Sequence, residues 1–423
     1  MQVSAINKIN MLNYYNQVRT KNDKIILKKD EKLNYVSIYE KNIMQMPFRG
    51  ALSSFSREIA EQPSVLGRII DSFFKNADKI SNINISISKN DLLKASAINI
   101  IASGSSKNSG EMAKSFMEKI TDMPVNIFSA SEFMTSNPKF NKNDIMIFVS
   151  QSGNTADTFE ALLYAKENGN KTIALTNKKD SKISNNADYS LDMQAGVENA
   201  VAATKTVTSS ILNLWGIGMK LGEIKGTFSL KDSEIVEELK SIPSKIEAII
   251  KDKYSIHKIA NKYANVENIY ILTKDPNIGA ANEGALKLTE TTQKRVISGS
   301  SSEFMHGLFT SIKPDDLLIE IATDNISRKN YQLAKENFLE IISKQKVKNA
   351  VLFVNKENKE VLEEVKNVDF VTIPETMPEF APLLNTIRLQ QLTEGLTTAL
   401  KINPDNGGGV LTKFRSNLTM NNK

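Results

Sequence analysis

Short apolar runs rich in β-branched residues alternate along most of this chain with longer segments of helical periodicity. Runs suited to buried strands lie at 98–102, 125–128, 145–149, 172–175 and 189–193, and then at 269–272, 317–321, 351–354 and 370–373. Strands that alternate with helices favour parallel sheets covered by helices on both faces. We therefore predict an α/β fold made of two doubly wound parallel-sheet domains in tandem.

The segments between and after these runs predict the helices and the domain limits. Helical patterns occupy 112–120, 158–168, 204–221, 280–292, 331–344, 360–366 and 383–400. An earlier amphipathic pattern begins at Phe48, and we expect Pro63 to end or restart that helix. The stretch 222–233 has the composition of a linker. The predicted organisation is an N-terminal extension at 1–45, sheet domains at 46–230 and 231–400, and a C-terminal loop and tail at 401–423.

The stretch 145–158 changes from an apolar run to a polar turn around Gly153 and then to a helical pattern. A strand, a tight turn and a helix start collect free backbone N–H groups, which favour an anion. The side chains of Ser150, Gln151, Ser152 and Thr155 would add hydrogen-bonding groups, and phosphate is the most plausible ligand. The alternative is a strand-to-helix loop with good capping residues.

A second polar turn, at 103–110, follows the first strand and carries Ser105 and Ser106. By itself it is explained equally well by helix capping. Ligands of doubly wound sheets bind beyond the carboxyl ends of the strands. Two such turns can therefore converge on one ligand, and together they strengthen the prediction of a phosphate site.

Composition removes several classes of site. The 423 residues contain no cysteine and two histidines, which exclude thiolate chemistry and disfavour a multi-histidine metal site. Lysine is spread along the chain, so the net charge of +6 gives no indication of nucleic-acid binding. No run approaches the length of a transmembrane helix, and the N-terminus does not look like a secretion signal. We expect a cytoplasmic protein with no metal.

Three further segments carry candidate chemistry. Glu283, Lys287 and Glu290 share one helix face, and their spacing alone favours a surface ladder of ion pairs, although Gly284 suggests a close approach on that helix. His306 could move protons near neutral pH, but a single histidine is more often structural, as we expect for His257. The glycine-rich segment 403–414 is typical of a flexible tail.

Together these segments resemble the tandem sugar-isomerase (SIS) domain family. The likeness is to the isomerase half of glucosamine-6-phosphate synthase and to its relatives without a glutaminase domain, which are aminosugar-phosphate deaminases and isomerases. It extends from about Arg57 to Lys413. The motifs that carry it are Arg-Glu-Ile-Ala-Glu-Gln-Pro at 57–63, the turns at 103–110 and 150–158, Val-Ala-Ala-Thr-Lys at 201–205, Glu-Gly-Ala-Leu-Lys-Leu at 283–288 and His-Gly at 306–307.

The resemblance implies flavodoxin-like SIS domains and a role for each matching residue. The residues that would bind the sugar phosphate are Ser105, Ser106, Ser150, Gln151, Ser152 and Thr155. Glu290 takes the position of the enolisation base and His306 that of the ring-opening acid/base, which in the family comes from a neighbouring subunit. Lys413 takes the position of the lysine that contacts the open-chain sugar. Val201, Ala203, Lys287 and Glu303 fall on further motif positions.

The resemblance also implies an enzyme without a cofactor, a sugar-phosphate substrate and a homodimer.

This chain departs from the family pattern at several positions. It has Ala203 where the synthase has Ser, and Leu308 where the synthase has Pro. Its terminal loop carries Gly407 and Gly408 where relatives commonly carry a Pro. Because no glutaminase domain or cysteine is seen, we expect deamination of glucosamine 6-phosphate to fructose 6-phosphate and ammonia. The alternatives are a fructosamine-6-phosphate deglycase, a synthase using ammonia, and a non-catalytic sugar-phosphate sensor.

Overall fold

The fold is known from a computed structural model, which describes residues 53–76, 78–136, 138–323, 328–356 and 367–409, apart from the side chains of 233 and 328–331. The predicted extension at 1–45, the predicted helix at 360–366 and Lys413 lie outside these residues.

The first half is built on five parallel strands. Its elements in chain order are α1 (Ser54–Phe73), α2 (Lys89–Lys94), β1 (Ile98–Ala102), α3 (Gly104–Thr121), β2 (Val125–Ser129), α4 (Ala130–Ser136), β3 (Ile145–Ser150), α5 (Ala156–Glu167), β4 (Lys171–Thr176), α6 (Lys182–Asn186), β5 (Tyr189–Asp192) and α7 (Lys205–Lys225). Every residue of β1 and β3 is buried, as expected for central strands covered on both faces.

The second half contains five more parallel strands. Its elements are α8 (Ser233–Lys251), α9 (Lys253–Lys262), β6 (Asn268–Thr273), α10 (Ile278–Thr292), β7 (Arg295–Ser300), α11 (Ser301–Phe304), β8 (Leu317–Ile321), α12 (Arg328–Gln345), β9 (Asn349–Asn355), β10 (Asp369–Ile373) and α13 (Ala381–Leu400). Short 3₁₀ turns lie at Leu308–Ser311, Pro378–Phe380 and Gly407–Gly409.

The two sheets have the same strand order, which confirms the predicted pair of doubly wound domains. The first runs β2-β1-β3-β4-β5 and the second β7-β6-β8-β9-β10. In each sheet the first strand of the half lies between the second and the third. The direction of winding therefore reverses at β1/β3 and at β6/β8, where doubly wound folds open a ligand crevice.

Three local predictions were wrong. Helix α1 continues through Pro63, because the Gln62 side chain donates to the Ile59 carbonyl, which the proline leaves without its helical N–H partner. Most of the predicted turn at 103–110 is helix, since α3 begins at Gly104. The first part of the predicted linker is also helical, because α7 extends to Lys225 before Gly226 ends it with a positive φ.

The halves meet where α3 packs against α10, the equivalent helix of the second half. A Cβ at Gly279 would lie 2.8 Å from the Asn108 carbonyl oxygen of α3, so a glycine is needed for this approach. Nearby, the Trp215 ring of α7 packs in tilted contact with Phe116 and Phe380, with ring centroids 5.6 and 4.6 Å away. Aromatic side chains from both halves thus fill this junction.

No helix within the described ranges is long and apolar enough to cross a membrane.

Candidate functional site

Both polar segments identified in the sequence lie at the reversal point of the first sheet. Strands β1 and β3 are direct neighbours, with Ala102 paired to Val149. The segment after β1 carries Ser105 and Ser106 in the first turn of α3, and the turn from Ser150, the last residue of β3, to Thr155 follows β3. Because parallel strands end at the same edge, these segments line one crevice.

The turn at 150–155 is held by its own hydroxyl groups. The Ser150 and Thr155 hydroxyls lie 2.9 Å apart, and the Gly153 N–H donates to Ser150 Oγ at 3.1 Å. Gly153 has a φ of +63°, and a Cβ there would lie 1.9 Å from Ser181 Oγ. Thr155 begins α5 without a capping bond from its side chain, so the first N–H groups of that helix remain available to an anion.

The start of α3 has the same character. Gly104 has a φ of +54°, and Ser103, the N-cap residue, makes no capping hydrogen bond with its side chain. The Ser103 hydroxyl is buried and has no hydrogen-bond partner within the described chain. Buried polar groups nearly always have a hydrogen-bond partner, so this hydroxyl is suited to bond to a ligand or a water.

The spacing of Glu283, Lys287 and Glu290 on α10 had suggested a surface ladder of ion pairs, but the structure shows a largely buried cluster. Glu283 is fully buried and Lys287 is 2% exposed. The Lys287 ammonium lies 2.5 Å from the Glu290 carboxylate and 3.6 Å from that of Glu283. Asn108 of α3 donates to Glu283 at 2.8 Å. The cluster therefore sits at the α3–α10 contact, and the close approach suspected at Gly284 is made by Leu389 of α13.

The charges of this cluster depend on one another. Burial lowers the pKa of Lys287, but the carboxylates of Glu283, Glu290 and Glu198 outweigh it and raise that pKa, so the ammonium persists. Burial also raises the pKa of Glu283, against the opposing effects of Lys287, Asn108 and Ser105. Glu290 differs from its neighbours because its side chain remains 25% exposed. It is the carboxylate of the cluster that a substrate can reach.

The loop that carries Val201 and Ala203 borders the same cluster. Glu198 accepts hydrogen bonds from the backbone N–H groups of Thr204 and Thr206, each at 3.0 Å, at the start of α7. Its charge also acts on Lys287. Sequence reasoning missed Glu198, because its contacts depend on how the loop folds back on the helix.

The segment after α13 is anchored, so the prediction of a flexible tail was wrong for its described part, residues 403–409. The Asp405 carboxylate accepts the N–H groups of Ser54 and Phe55, each at 2.8 Å. Gln293 at the end of α10 donates to the Gly407 carbonyl at 3.0 Å. This loop therefore lies beside the helix that carries Glu290. Lys413 follows it, outside the described residues.

Glu303 and His306 lie in the second half, on the segment that follows β7. Both are exposed, and within the described chain the His306 imidazole makes no hydrogen bond. The described chain thus brings Ser105 and the loop that carries Val201 close to the Glu283–Lys287–Glu290 cluster, and His306 is exposed. His257 is structural as expected, since it lies 3.3 Å from the buried Glu394 carboxylate.

No cluster of metal-binding side chains occurs in the described ranges. The chemistry available is that of hydrogen-bond donors for an anion at the ends of β1 and β3, and of a carboxylate paired with an ammonium on α10. Such a pair can transfer a proton on a substrate whose anionic group is held by the turns.

The chain is similar to several known proteins. The SIS domain family matches residues 91–218. The glutamine–fructose-6-phosphate aminotransferase (isomerizing) of Caldanaerobacter subterraneus subsp. tengcongensis is 32% identical over 380 residues, which cover 87% of this chain and 61% of that protein. The same-named protein of Clostridium tetani is 32% identical over 335 residues, 79% of this chain and 54% of its own length. The chain thus spans little more than half the length of these relatives.

Solved structures show the same architecture. The C-terminal domain of glucosamine-fructose-6-phosphate aminotransferase from Francisella tularensis has a TM-score of 0.75 and 25% identity, and the match covers 84% of this chain and 99% of that one.

Proposed function

We propose that this chain, a member of the tandem SIS-domain family, is an aminosugar-6-phosphate isomerase and deaminase. Its relatives are named as aminotransferases of the isomerizing kind, and the solved structures similar to it include phosphosugar isomerases. The proposed reaction converts glucosamine 6-phosphate and water to fructose 6-phosphate and ammonia. The observation that carries the proposal is the accessible Glu290 carboxylate held by the buried Lys287 ammonium.

The proposed mechanism separates binding from chemistry. The turns at 103–106 and 150–155 hold the phosphate, and the energy of this contact positions the distant reacting carbons. His306 transfers the proton that opens the sugar ring. Glu290 then takes the proton from C2 and returns it to C1 through an enol-type intermediate, which leaves an imine at C2. Water adds to this imine and ammonia leaves, so that the ketose is formed.

The pairing with Lys287 suits Glu290 to this role. A carboxylate hydrogen-bonded to an ammonium is held in one orientation, and its remaining oxygen can face the substrate. Lys287 is itself held between Glu283 and Glu290 by burial, which prevents it from swinging away. Lys413 would contact the open-chain sugar, as the family position implies.

We propose that the reaction runs in the deaminating direction and that the leaving amine is ammonia. These 423 residues contain no cysteine and so offer no thiolate for glutamine hydrolysis, whereas the deaminating direction requires none. A deglycase would use the same enolisation with a different amine as leaving group.

The test is incubation of the purified chain with glucosamine 6-phosphate, with ammonia and fructose 6-phosphate measured in equal amounts. Turnover of fructosamine 6-phosphate alone would replace the proposal with the deglycase. Formation of glucosamine 6-phosphate from fructose 6-phosphate and ammonia, without the reverse reaction, would favour the synthase. Binding of these sugar phosphates without any turnover would indicate a sensor.

A further inference from the structure

Helix α1 lies outside both sheets and has an unusual buried polar stripe. Glu58 is 2% exposed and Gln62 is fully buried, although such side chains are mostly found at the surface. These residues belong to the Arg-Glu-Ile-Ala-Glu-Gln-Pro segment, to which the proposed mechanism gives no role. Each of them is bonded to a part of the chain that is distant in sequence.

Glu58 holds the loop that carries Val201 and Ala203. One carboxylate oxygen accepts the N–H groups of Asn199 at 2.5 Å and Ala200 at 3.2 Å, and the other accepts the Thr204 hydroxyl at 3.0 Å. This loop leads into α7, so Glu58 fixes both its middle and its end.

The N-terminus of α1 holds the loop after α13. Asp405 accepts the N–H groups of Ser54 and Phe55, and its own carbonyl accepts the Val201 N–H at 3.3 Å. The two loops are therefore bonded to each other as well as to the same helix.

Stability of the helix alone does not explain this arrangement. Helix α1 already has a local cap, because Ser53 Oγ accepts the Ser56 N–H at 3.1 Å. The further bonds to Asp405 come from a residue 351 positions away. Gln62 in turn bonds to Thr208 of α7 and Gln390 of α13, which fixes α1 to both halves.

We propose that Glu58 and Asp405 are positioning residues, which use α1 to hold the 198–204 loop and the 403–409 loop in register beside Lys287 and Glu290. The inference rests on the proposed function for its catalytic consequence. The phosphate turn at 150–155 belongs to a different part of the sheet edge. Loss of the hydrogen bonds made by Glu58 or Asp405 therefore affects the reacting end of the sugar and leaves phosphate binding in place.

The decisive comparison is between Asp405→Ala and Asp144→Ala. Asp144 has the same chemistry, since its carboxylate accepts the N–H groups of Ser96 and Ala97 at 2.8 and 3.0 Å. It lies just before β3, at the opposite edge of the sheet from the crevice. Both variants lose a carboxylate that joins two segments, so both are expected to lose thermal stability.

We expect Asp405→Ala to lower kcat by about 10- to 100-fold, with inorganic phosphate affinity and KM changed by less than about twofold. Asp144→Ala keeps the wild-type kcat. Glu58→Ala behaves like Asp405→Ala. Glu58→Gln retains activity, because its amide oxygen can still accept from Asn199 and Ala200 while its amide N–H donates to Thr204. Equal kcat values in Asp405→Ala and Asp144→Ala overturn the proposal.

Amide hydrogen exchange separates this inference from the proposed function. Exchange at 199–201 and 403–409 should accelerate in Asp405→Ala, and exchange at 150–155 should not. If the wild-type chain turns over no sugar phosphate, the proposed function fails, and the positioning role of Asp405 is then judged by hydrogen exchange alone. In that case, unchanged exchange at 199–201 in Asp405→Ala refutes the positioning role.

Discussion

At the scale of single residues, burial assigns different roles to carboxylates that look alike in the sequence. Glu283 and Glu290 lie on one face of α10, but Glu283 is fully buried against α3 while Glu290 keeps a quarter of its side chain exposed. The first can only fix Lys287, whereas the second can also meet a substrate. The spacing of charged residues along a helix predicts which side chains are adjacent but not how deeply they are buried. The sequence alone therefore suggested a surface ladder of ion pairs.

Glu290→Gln is expected to abolish turnover and to leave sugar-phosphate binding nearly unchanged. The amide keeps the shape of the side chain but cannot accept a proton from C2. Turnover is followed by ammonia release and binding by calorimetry with fructose 6-phosphate. Glu340→Gln is the control, because Glu340 forms an exposed i,i+4 pair with Lys344 on α12. An active Glu290→Gln enzyme would show that the base is another group.

Glu320 is a further buried carboxyl, in the middle of the second sheet. Burial raises its pKa from 4.5 to about 8. Its Oε1 atom lies 2.6 Å from Ser301 Oγ, and that hydroxyl also lies 3.0 Å from the Thr273 carbonyl. One hydroxyl proton cannot serve both acceptors fully. A protonated Glu320 can donate to Ser301, which then donates to Thr273.

Glu320→Gln is expected to stabilise the protein increasingly as the pH rises. The folded carboxyl keeps its proton up to about pH 8, whereas the unfolded one loses it near pH 4.5. The wild type therefore loses about 1.4 kcal/mol of stability per pH unit between those values, and the amide does not. Urea denaturation at pH 5, 6.5 and 8 measures the difference, with Glu340→Gln as the control. A gain that does not change with pH would contradict the shift.

At the scale of elements, turns and helix starts determine where the ligand-binding groups lie. The turn at 150–155 depends on Gly153, whose positive φ and lack of a side chain let it pack beside Ser181. The same turn donates an N–H to Ser150, which orients the hydroxyl next to Thr155.

Gly153→Ala is expected to raise the KM for the sugar phosphate at least about tenfold, because left-handed strain and the overlap with Ser181 displace the turn. Gly169→Ala is the matched control. Gly169 also has a positive φ, +79°, but nothing lies within 4 Å of its Cβ position. It precedes β4, at the edge away from the crevice, so only stability should fall. Equal KM values in the two variants would show that the turn at 150–155 does not bind the phosphate.

Nine of the ten strands could be predicted, whereas one edge strand and the long-range contacts could not. The strands at 98–102 and 317–321 have the predicted bounds, because fully buried parallel strands are uninterrupted apolar runs. Strand β7 was missed, since this edge strand is largely half-buried or exposed and includes Gly299. The Asp405 contact joins residues about 350 positions apart, a separation over which a single sequence shows no pattern.

At the scale of the whole molecule, the candidate site belongs to neither half alone. The first half provides the turns at 103–106 and 150–155, where we propose that phosphate binds, and the second provides Lys287 and Glu290 through α10. Both halves use the helix after their first strand for the contact, α3 in one and α10 in the other. His306 lies exposed on the second half, which suits a group presented to another subunit, as we propose for a homodimer.

Subunit mixing tests the shared site. Glu290→Gln and His306→Asn are each expected to be inactive, and a refolded mixture should recover about a quarter of the wild-type activity, because half the dimers are mixed and one of their two sites is intact. Each variant refolded alone provides the control. No recovery, in a mixture shown to contain mixed dimers, would place His306 and Glu290 in the same subunit's site or exclude His306 from the reaction.

The aromatic junction around Trp215 makes the molecule its own optical reporter. Trp215 is the single tryptophan of the chain, and its ring is fully buried between Phe116 of the first half and Phe380 of the second. Its fluorescence emission therefore reports on the packing of this junction, to which both halves contribute. A red shift during denaturation marks the exposure of the junction to water, without any label or added chromophore.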